Sequence, residues 1–103
     1  YTTLACGATH TCGLLSTGAI RCWGKNSSGQ LGNNSTTTSN SPVNVAQGAN
    51  SDTDNYTYIT AGKDHSCAIN TSDEVYCWGL NNVNQLGDDS TTTRLTPVAT
   101  QDI

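Results

Sequence analysis

Two histidines are the residues of this sequence best suited to acid–base chemistry or metal binding. His10 and His65 each lie close behind a glycine, Gly7 and Gly62, at matching positions of two similar segments. A catalytic site needs a nucleophile, a base and an orienting group brought together, and one matching residue per segment supplies no such set. We therefore expect both histidines to be structural, hydrogen-bonded to backbone within or between the segments, and we expect no enzyme activity.

Five cysteines are the second candidate for chemistry: Cys6, Cys12, Cys22, Cys67 and Cys77. Their spacing lacks the two-residue separation of paired zinc ligands, which disfavours a metal site. Four loop aspartates also lack the ligand spacing of a calcium loop; they are Asp52, Asp54, Asp88 and Asp89. We expect no metal and no cofactor. The cysteines are expected instead to form disulfide bonds in an oxidising, extracellular compartment.

The composition limits the class of protein and of partner. With 103 residues, of which 34% are hydrophobic, the chain is one small domain or part of one, with a thin core that needs staples or association. The net charge is −4 and the four basic residues are scattered, which disfavours nucleic acid as a partner. No apolar run is long enough to cross a membrane, and no signal-peptide pattern opens the sequence. We expect a mature secreted chain or an internal piece.

An internal repeat is the strongest pattern, because Tyr1 to Val43 can be laid on Tyr56 to Val98 without a gap. The repeat divides the chain into a first unit, 1–46, a polar loop insert, 47–55, and a second unit, 56–103. Apolar residues alternate or form short runs between turn residues, and no helical period occurs, so the fold class is all-β. Four strands are predicted in the first unit, at 2–6, 11–15, 19–23 and 42–46, and the second unit repeats them.

A four-stranded antiparallel repeat of this length is typical of a β-propeller blade. Two blades cannot close a ring of four to eight, so the chain is expected to form part of a larger or an oligomeric propeller. Three copies would give six blades, a head-to-tail filament is the open alternative, and an excerpt of a longer repeat protein is the third. The sequence does not choose among a homo-oligomer, a filament and an excerpt.

The hairpin between the second and third strands predicts how four cysteines pair. Ser16-Thr17-Gly18 suits a three-residue loop, and counting outward from it places Cys12 opposite Cys22. This is the closer kind of cross-strand pair, which a disulfide can bridge. The second unit repeats the arrangement for Cys67 and Cys77. Cys6 is left over as an unpaired thiol, buried or bonded to a partner outside the chain.

Three motifs occur once in each unit and in the same order, here quoted in full: Ala5-Cys6-Gly7-Ala8-Thr9-His10-Thr11-Cys12, Ile20-Arg21-Cys22-Trp23-Gly24 and Gln30-Leu31-Gly32, then Ala61-Gly62-Lys63-Asp64-His65-Ser66-Cys67, Val75-Tyr76-Cys77-Trp78-Gly79 and Gln85-Leu86-Gly87. They resemble the regulator of chromosome condensation repeat family, and the paired cysteines resemble its bacterial secreted members. The resemblance implies a propeller, usually of seven blades. It implies structural roles for Gly7, His10, Trp23, Gly24, Gly62, His65, Trp78 and Gly79. We expect both tryptophans to pack between adjacent blades rather than to serve as exposed platforms for sugar rings.

The function expected is that of a non-catalytic protein-interaction or structural assembly module, with a protein or further copies of itself as partner. Such a module presents the polar loops 33–41 and 88–93 at the blade rim. A carbohydrate-binding lectin formed by oligomerised blades is one alternative, with a glycan as partner, and an inhibitor of a secreted enzyme is another. Glycosylation triplets begin at five asparagines; they are Asn26, Asn33, Asn34, Asn55 and Asn70.

Overall fold

The computed structural model describes residues 1–49, 55–81, 86 and 91–100, which contain eight β-strands and no helix. Each half of the chain forms one four-stranded antiparallel sheet with its strands in chain order. The first sheet contains β1 (Thr3–Cys6), β2 (His10–Leu14), β3 (Ile20–Gly24) and β4 (Ser39–Asn44). The second contains β5 (Tyr56–Ala61), β6 (His65–Asn70), β7 (Val75–Gly79) and β8 (Arg94–Ala99). The all-β prediction of two four-stranded blades is confirmed.

Tight turns connect the two central strands of each sheet. Gly18 closes the β2–β3 turn at φ 90°, and Asp73 closes the β6–β7 turn at φ 62°, a left-handed conformation that aspartate tolerates better than most residues. The amide of Gly18 donates to the carbonyl of Leu15 at 2.9 Å. In the second turn the amide of Asp73 donates to the carbonyl of Asn70 at 3.0 Å. Both turns therefore fix the register of the strands that follow.

The fourth strand of each sheet begins earlier than the sequence predicts. It was expected to start at Pro42, but β4 starts at Ser39, so part of the predicted loop 33–41 belongs to the sheet. The reason is a register irregularity opposite β3, where Cys22 pairs with Val43 and Gly24 already pairs with Ser39. Proline is tolerated here because β4 is an edge strand and one side of its backbone carries no ladder bond.

The two sheets pack against each other, with β1 and β2 of the first against β5 of the second. Alternation along β2 decides which side chains enter this contact, since successive residues point to opposite faces. The shared core is small and consists of Cys12, Leu14, Ile20, Cys22, Leu31, Val45, Tyr56, Ile59, Ala68, Tyr76 and Trp78. In the described part of the chain, no helix is long and apolar enough to cross a membrane.

Candidate functional site

The junction between the two blades contains the first of the predicted histidines. His10 is buried at the start of β2, and its Nε2 lies 2.7 Å from Oγ of Ser66 in the second blade. The single hydroxyl proton of Ser66 is donated to the main-chain carbonyl of Gln30 at 3.0 Å. His10 must therefore be the donor to Ser66, with the proton on Nε2. The expectation of a backbone partner for His10 was wrong, because a side-chain hydroxyl of the next blade takes that place.

The same carbonyl of Gln30 receives a second hydrogen bond from the second blade. Nε1 of Trp78, which is completely buried, donates to it at 3.0 Å. Gly32 makes room for the indole ring, since a Cβ at this position would lie 2.7 Å from Cδ1 of Trp78. The Gln-Leu-Gly motif of the first blade thus forms the acceptor and the space for the tryptophan of the second. This packing between blades is the role expected for Trp78.

The spacing of Gly7 and His10 also has a physical reason. The amide of Gly7 donates to the carbonyl of His10 at 2.8 Å, which closes a tight turn between β1 and β2. The imidazole folds back over that turn, so that a Cβ on Gly7 would lie 2.5 Å from Cε1 of the ring. Gly62 and His65 repeat both features in the second blade. A glycine is therefore required at each of these turns if the histidine is to fold over it.

Burial sets the charge state of both histidines. Desolvation lowers the pKa of His10 below its ordinary value of 6.5, the nearby carboxylate of Asp64 opposes this shift, and the proximity of His65 adds to it. Burial also lowers the pKa of His65, again opposed by Asp64. Nδ1 of His10 is buried and has no hydrogen-bond partner among the described residues. The junction is thus built for a neutral His10, which suits a structural role.

The four cysteines of the hairpins lie in two pairs at disulfide distance. The Sγ atoms of Cys12 and Cys22 are 2.11 Å apart, and those of Cys67 and Cys77 are 2.08 Å apart. The Cα atoms within each pair are 4.0 Å apart, the close separation expected from counting outward from the turn. Cys6 is free and exposed on β1, so the alternative of a buried thiol was wrong.

The signature residues are not all brought together. Trp78 reaches Gln30 directly and His10 reaches it through Ser66, so both lie in the junction, whereas Trp23 lies on the outer side of the first blade. Trp23 is only half-buried and contacts the ring of Tyr1 at a centroid distance of 5.9 Å, with the two planes tilted by 49°. His65 lies on the outer side of the second blade. In each blade one signature side chain, His10 or Trp78, therefore lies in the junction, and another, Trp23 or His65, faces away from it.

Two buried asparagines form a structural element that the sequence analysis missed. Oδ1 of Asn26 accepts from the amide of Leu31 at 2.9 Å, and its Nδ2 donates to the carbonyls of Ser35 at 2.9 Å and Thr37 at 3.2 Å. Asn26 therefore fixes the loop between β3 and β4 and is unsuited to carry a glycan. The signal was present, since an asparagine stands three residues after the tryptophan in both blades.

Asn81 repeats this role in the second blade, where its Oδ1 accepts from the amide of Leu86 at 3.0 Å. Its Nδ2 donates to the carbonyl of Thr92 at 3.0 Å. Asn70 is a further buried asparagine, and its Oδ1 accepts from the amides of Ser72 and Glu74 in the β6–β7 turn. Of the predicted glycosylation triplets, those at Asn26 and Asn70 thus begin with structural residues.

No group of three or more His, Cys, Asp or Glu side chains that could hold a metal ion occurs within the described ranges. Three expectations lie outside those ranges and remain predictions. They concern the acidic residues Asp52, Asp54, Asp88 and Asp89, most of the insert 47–55, and residues 88–90 of the loop 88–93.

The fold matches known propellers at high structural similarity. Human WBSCR16 superimposes on 97% of this chain with a TM-score of 0.85 at 20% identity, and the chain covers 25% of that protein. Prp20p of Saccharomyces cerevisiae, whose crystal structure was described together with its binding properties to Gsp1p and histones, superimposes on 98% of this chain with a TM-score of 0.77 at 22% identity, and the chain covers 25% of it. These matches show the fold.

Sequence comparison points to the same group. The ultraviolet-B receptor UVR8 of Arabidopsis thaliana is 30% identical over 96 residues, which is 91% of this chain and 21% of the receptor. The probable E3 ubiquitin-protein ligase HERC3 of Homo sapiens is 32% identical over 94 residues, 91% of this chain and 9% of the ligase. The chain therefore spans about a fifth or less of these two relatives.

The profile of the regulator of chromosome condensation (RCC1) repeat matches twice, at residues 17–69 and 72–102, and a second profile of the same name matches residues 1–30 and 56–85. The first match begins in the β2–β3 turn and ends in β6, so the family's repeat crosses from one blade into the next. It thereby includes the Gln30 acceptor together with Ser66, one of its two donors. From the match of both profiles and the blade junction they encompass, we conclude that this chain belongs to the RCC1 repeat family.

Proposed function

We propose that this chain is a non-catalytic, extracellular protein-interaction module in which the repeats hold the architecture and the rim loops engage a protein partner. One observation carries the proposal: in the blade junction His10 is hydrogen-bonded to Ser66, and Ser66 and Trp78 both donate to the carbonyl of Gln30. These contacts hold them in a structural network. The solved relatives support an interaction role, because Prp20p binds Gsp1p and histones and has been solved bound to Kap60.

The rim loop between β3 and β4 is the surface that we assign to the partner. Residues 36–38 are exposed at the end of the sheet opposite the β2–β3 turn. Asn26 holds this loop from within by its bonds to the carbonyls of Ser35 and Thr37. A loop that is fixed at its base and exposed at its tip can bind without a large cost in ordering entropy.

The extracellular assignment rests on the two cysteine pairs at disulfide distance, since such bonds persist in oxidising compartments. We further propose residues 1–46 and 56–103 as the two repeat units. Each contains one complete sheet, joined by the insert 47–55. The eight signature glycines, histidines and tryptophans are proposed as residues of the scaffold rather than of a binding site.

The experiment places a photo-crosslinking amino acid at Thr36 in the rim loop, with Ser16 in the opposite turn as the matched control. Both positions are exposed. The oxidised chain is irradiated in the extracellular protein fraction of its source. We expect saturable cross-links to one protein at position 36, competed by unlabelled chain, and none at position 16. Equal labelling at both positions, or substrate turnover that is lost in His10→Gln, contradicts the proposal.

Carbohydrate binding is the second candidate, and the outward pair of Tyr1 and Trp23 favours it. Aromatic rings on a surface can stack on sugar faces, and Tyr1 is 54% exposed. A glycan array with the oxidised chain tests it. Binding that disappears in Trp23→Ala supports a lectin, and an array without signal above background excludes it for the sugars displayed. Inhibition of a secreted enzyme remains a third candidate, covered by the cross-linking experiment because its target would be a protein.

A further inference from the structure

The large exposed apolar side chains of the described residues all lie on the two outer blade faces. They are Tyr1 and Leu4 on the first blade and Tyr58 on the second, with exposed fractions of 54%, 57% and 52%. Tyr1 and Leu4 lie side by side over Gly13, and contiguous apolar exposure is typical of an interaction surface. The outer faces of these two blades therefore expose apolar surface of the kind found at interfaces.

Comparison of the two blades shows which kind of partner fits the first face. Tyr1 corresponds by repeat position to Tyr56, and Leu4 corresponds to Ile59. Tyr56 is only 4% exposed and Ile59 only 3%, because the first blade covers them. The same positions are thus buried by a blade in one repeat and left open in the other. The first face has the composition of a surface that a blade of this family covers.

Polar groups on the first face match the covered ones as well. Thr11 stands where Ser66 stands and keeps the hydroxyl, and Trp23 stands where Trp78 stands and keeps the indole N–H. Ser66 and Trp78 are hydrogen-bonded across the junction, whereas neither side chain of the first pair has a hydrogen bond within the described structure. The open face therefore offers both the apolar contacts and the polar groups of the covered one.

The outer face of the second blade supplies the complementary half. His65, Ile69 and Val75 occupy the positions at which His10, Leu14 and Ile20 of the first blade face the junction.

The first-blade residues of this set are buried, and the second-blade residues are only half-buried. His65 is folded over Gly62 in the way that His10 is folded over Gly7. It is thus prepared to donate to a hydroxyl of a following blade.

We propose that the outer face of the second blade of one copy docks on the first-blade face of another copy, so that the chain assembles head to tail. In this contact His65 of one copy donates to the hydroxyl of Thr11 of the next. This inference rests on the proposed interaction function and names one partner, a second copy of this chain. The interface is heterologous, so it continues until a ring closes or a filament forms.

One position departs from the repeat and bears on how selective the contact is. Arg21 stands where the second blade has the buried Tyr76. Its Nε donates to Oδ1 of Asn44 at 3.1 Å, which holds the guanidinium beside the edge strand β4. The docking face therefore carries one cation beside its apolar residues, at a position that the covered face fills with a tyrosine.

The experiment measures the mass of the oxidised chain by sedimentation equilibrium over a range of concentrations, with two variants that each block one face. Leu4→Asp places a charge on the first-blade face, and Ile69→Asp places one on the outer face of the second blade, where the matching Leu14 of the covered junction is 5% exposed. Ser16→Asp in the exposed β2–β3 turn is the control for added charge. Burying a charge in place of an apolar side chain weakens association by at least about tenfold.

We expect the wild type and Ser16→Asp to form species larger than 10.8 kDa, and each face variant alone to be monomeric. An equimolar mixture of Leu4→Asp and Ile69→Asp is expected to form dimers and nothing larger, because only one pair of intact faces remains. Circular dichroism and the absence of extra free thiols confirm folding. Thr11→Lys repeats the test if Leu4→Asp does not fold, and Val75→Asp repeats it if Ile69→Asp does not fold.

Three outcomes overturn the proposal. A wild type that is monomeric throughout shows that a second copy does not occupy the face. Homodimers of either variant point to a symmetric contact, and glycan binding lost in Leu4→Asp without any change of mass points to a sugar. Each outcome leaves the cross-linking of residue 36 to a protein partner unaffected, so failure here is distinct from failure of the proposed function.

Discussion

At the scale of single residues, the imidazole of His10 connects the blade junction to pH. The folded chain holds His10 neutral because its pKa is lowered, mainly by burial, while in the unfolded chain the pKa has its ordinary value of 6.5. Above that value both states are neutral and the full stability is present. As the pH falls below 6.5, the unfolded state binds the proton first, so stability is lost until the pH passes the lowered pKa of the folded chain.

We expect the urea midpoint of unfolding to fall between pH 7.5 and pH 5, and to fall less in His10→Gln, whose amide can still donate to Ser66. Protonation would place a second N–H at the buried Nδ1, where the described residues offer no acceptor, a cost on the order of 1–3 kcal/mol. His65→Gln is the control. It should remove a smaller part of the fall in the urea midpoint between pH 7.5 and pH 5, because His65 is only half-buried. An unchanged pH dependence in His10→Gln contradicts the assignment.

The residue scale is also where the sequence was least informative. The matching positions of His10 and His65 indicated a structural role, which their lowered pKa values and the junction contacts fit. The partner of His10 was not predictable, because Ser66 lies 56 residues away and meets it only once the blades pack. Asn26 was interpreted only as a glycosylation triplet, although burial and three backbone contacts give it a structural task.

At the scale of elements, the two disulfide hairpins share one register but differ in access. Cys12 and Cys22 are both buried at the blade junction, whereas Cys67 on the outer face of the second blade is half-buried. Thiol–disulfide exchange requires an approach of the attacking thiolate to a sulfur atom. Access of the reductant to the sulfur atoms should therefore decide the order in which the two disulfide bonds are reduced.

We expect limiting reductant to open Cys67–Cys77 before Cys12–Cys22, as read by differential alkylation and mass spectrometry. The measurement uses a Cys6→Ser background, because the exposed thiol of Cys6 would otherwise exchange with both bonds. Loss of either bond should cost roughly 2 to 3 kcal/mol of unfolding free energy for a loop of this length. In urea the preference should vanish, and equal rates in the folded chain would show that access is not what protects the first hairpin.

Elements that depend on local pattern were predictable, and those that depend on a neighbouring strand were not. The β2–β3 hairpin followed from the turn residues and the alternation of β2, and its count placed Cys12 opposite Cys22. The start of β4 could not be found in this way, because its pairing with β3 shifts register between Cys22 and Gly24. Such a shift is set by how the two strands meet rather than by the composition of either.

At the scale of the whole molecule, the question is whether the blades are independent or one cooperative unit. Trp23 and Trp78 belong to the same motif of the two blades, yet only Trp78 is buried in the junction. Its indole N–H donates a hydrogen bond to the carbonyl of Gln30. A junction of this kind couples the blades, because unfolding either one exposes the core that the other shares. Repeat proteins draw much of their stability from such interfaces between neighbours.

We expect Trp78→Phe to lower the unfolding free energy of the isolated chain by about 1–3 kcal/mol, since it removes a buried donor and leaves space beside Gly32. Trp23→Phe is the matched substitution, and because Trp23 lies on the open face it should change the monomer by no more than about 0.5 kcal/mol. Urea unfolding followed by circular dichroism measures both. If the chain assembles head to tail, the losses of unfolding free energy in Trp78→Phe and Trp23→Phe should become similar at concentrations where a second copy covers the first-blade face. Equal losses in a chain that is still monomeric would mean that the junction contributes no more than an open face, and the blades would then unfold independently.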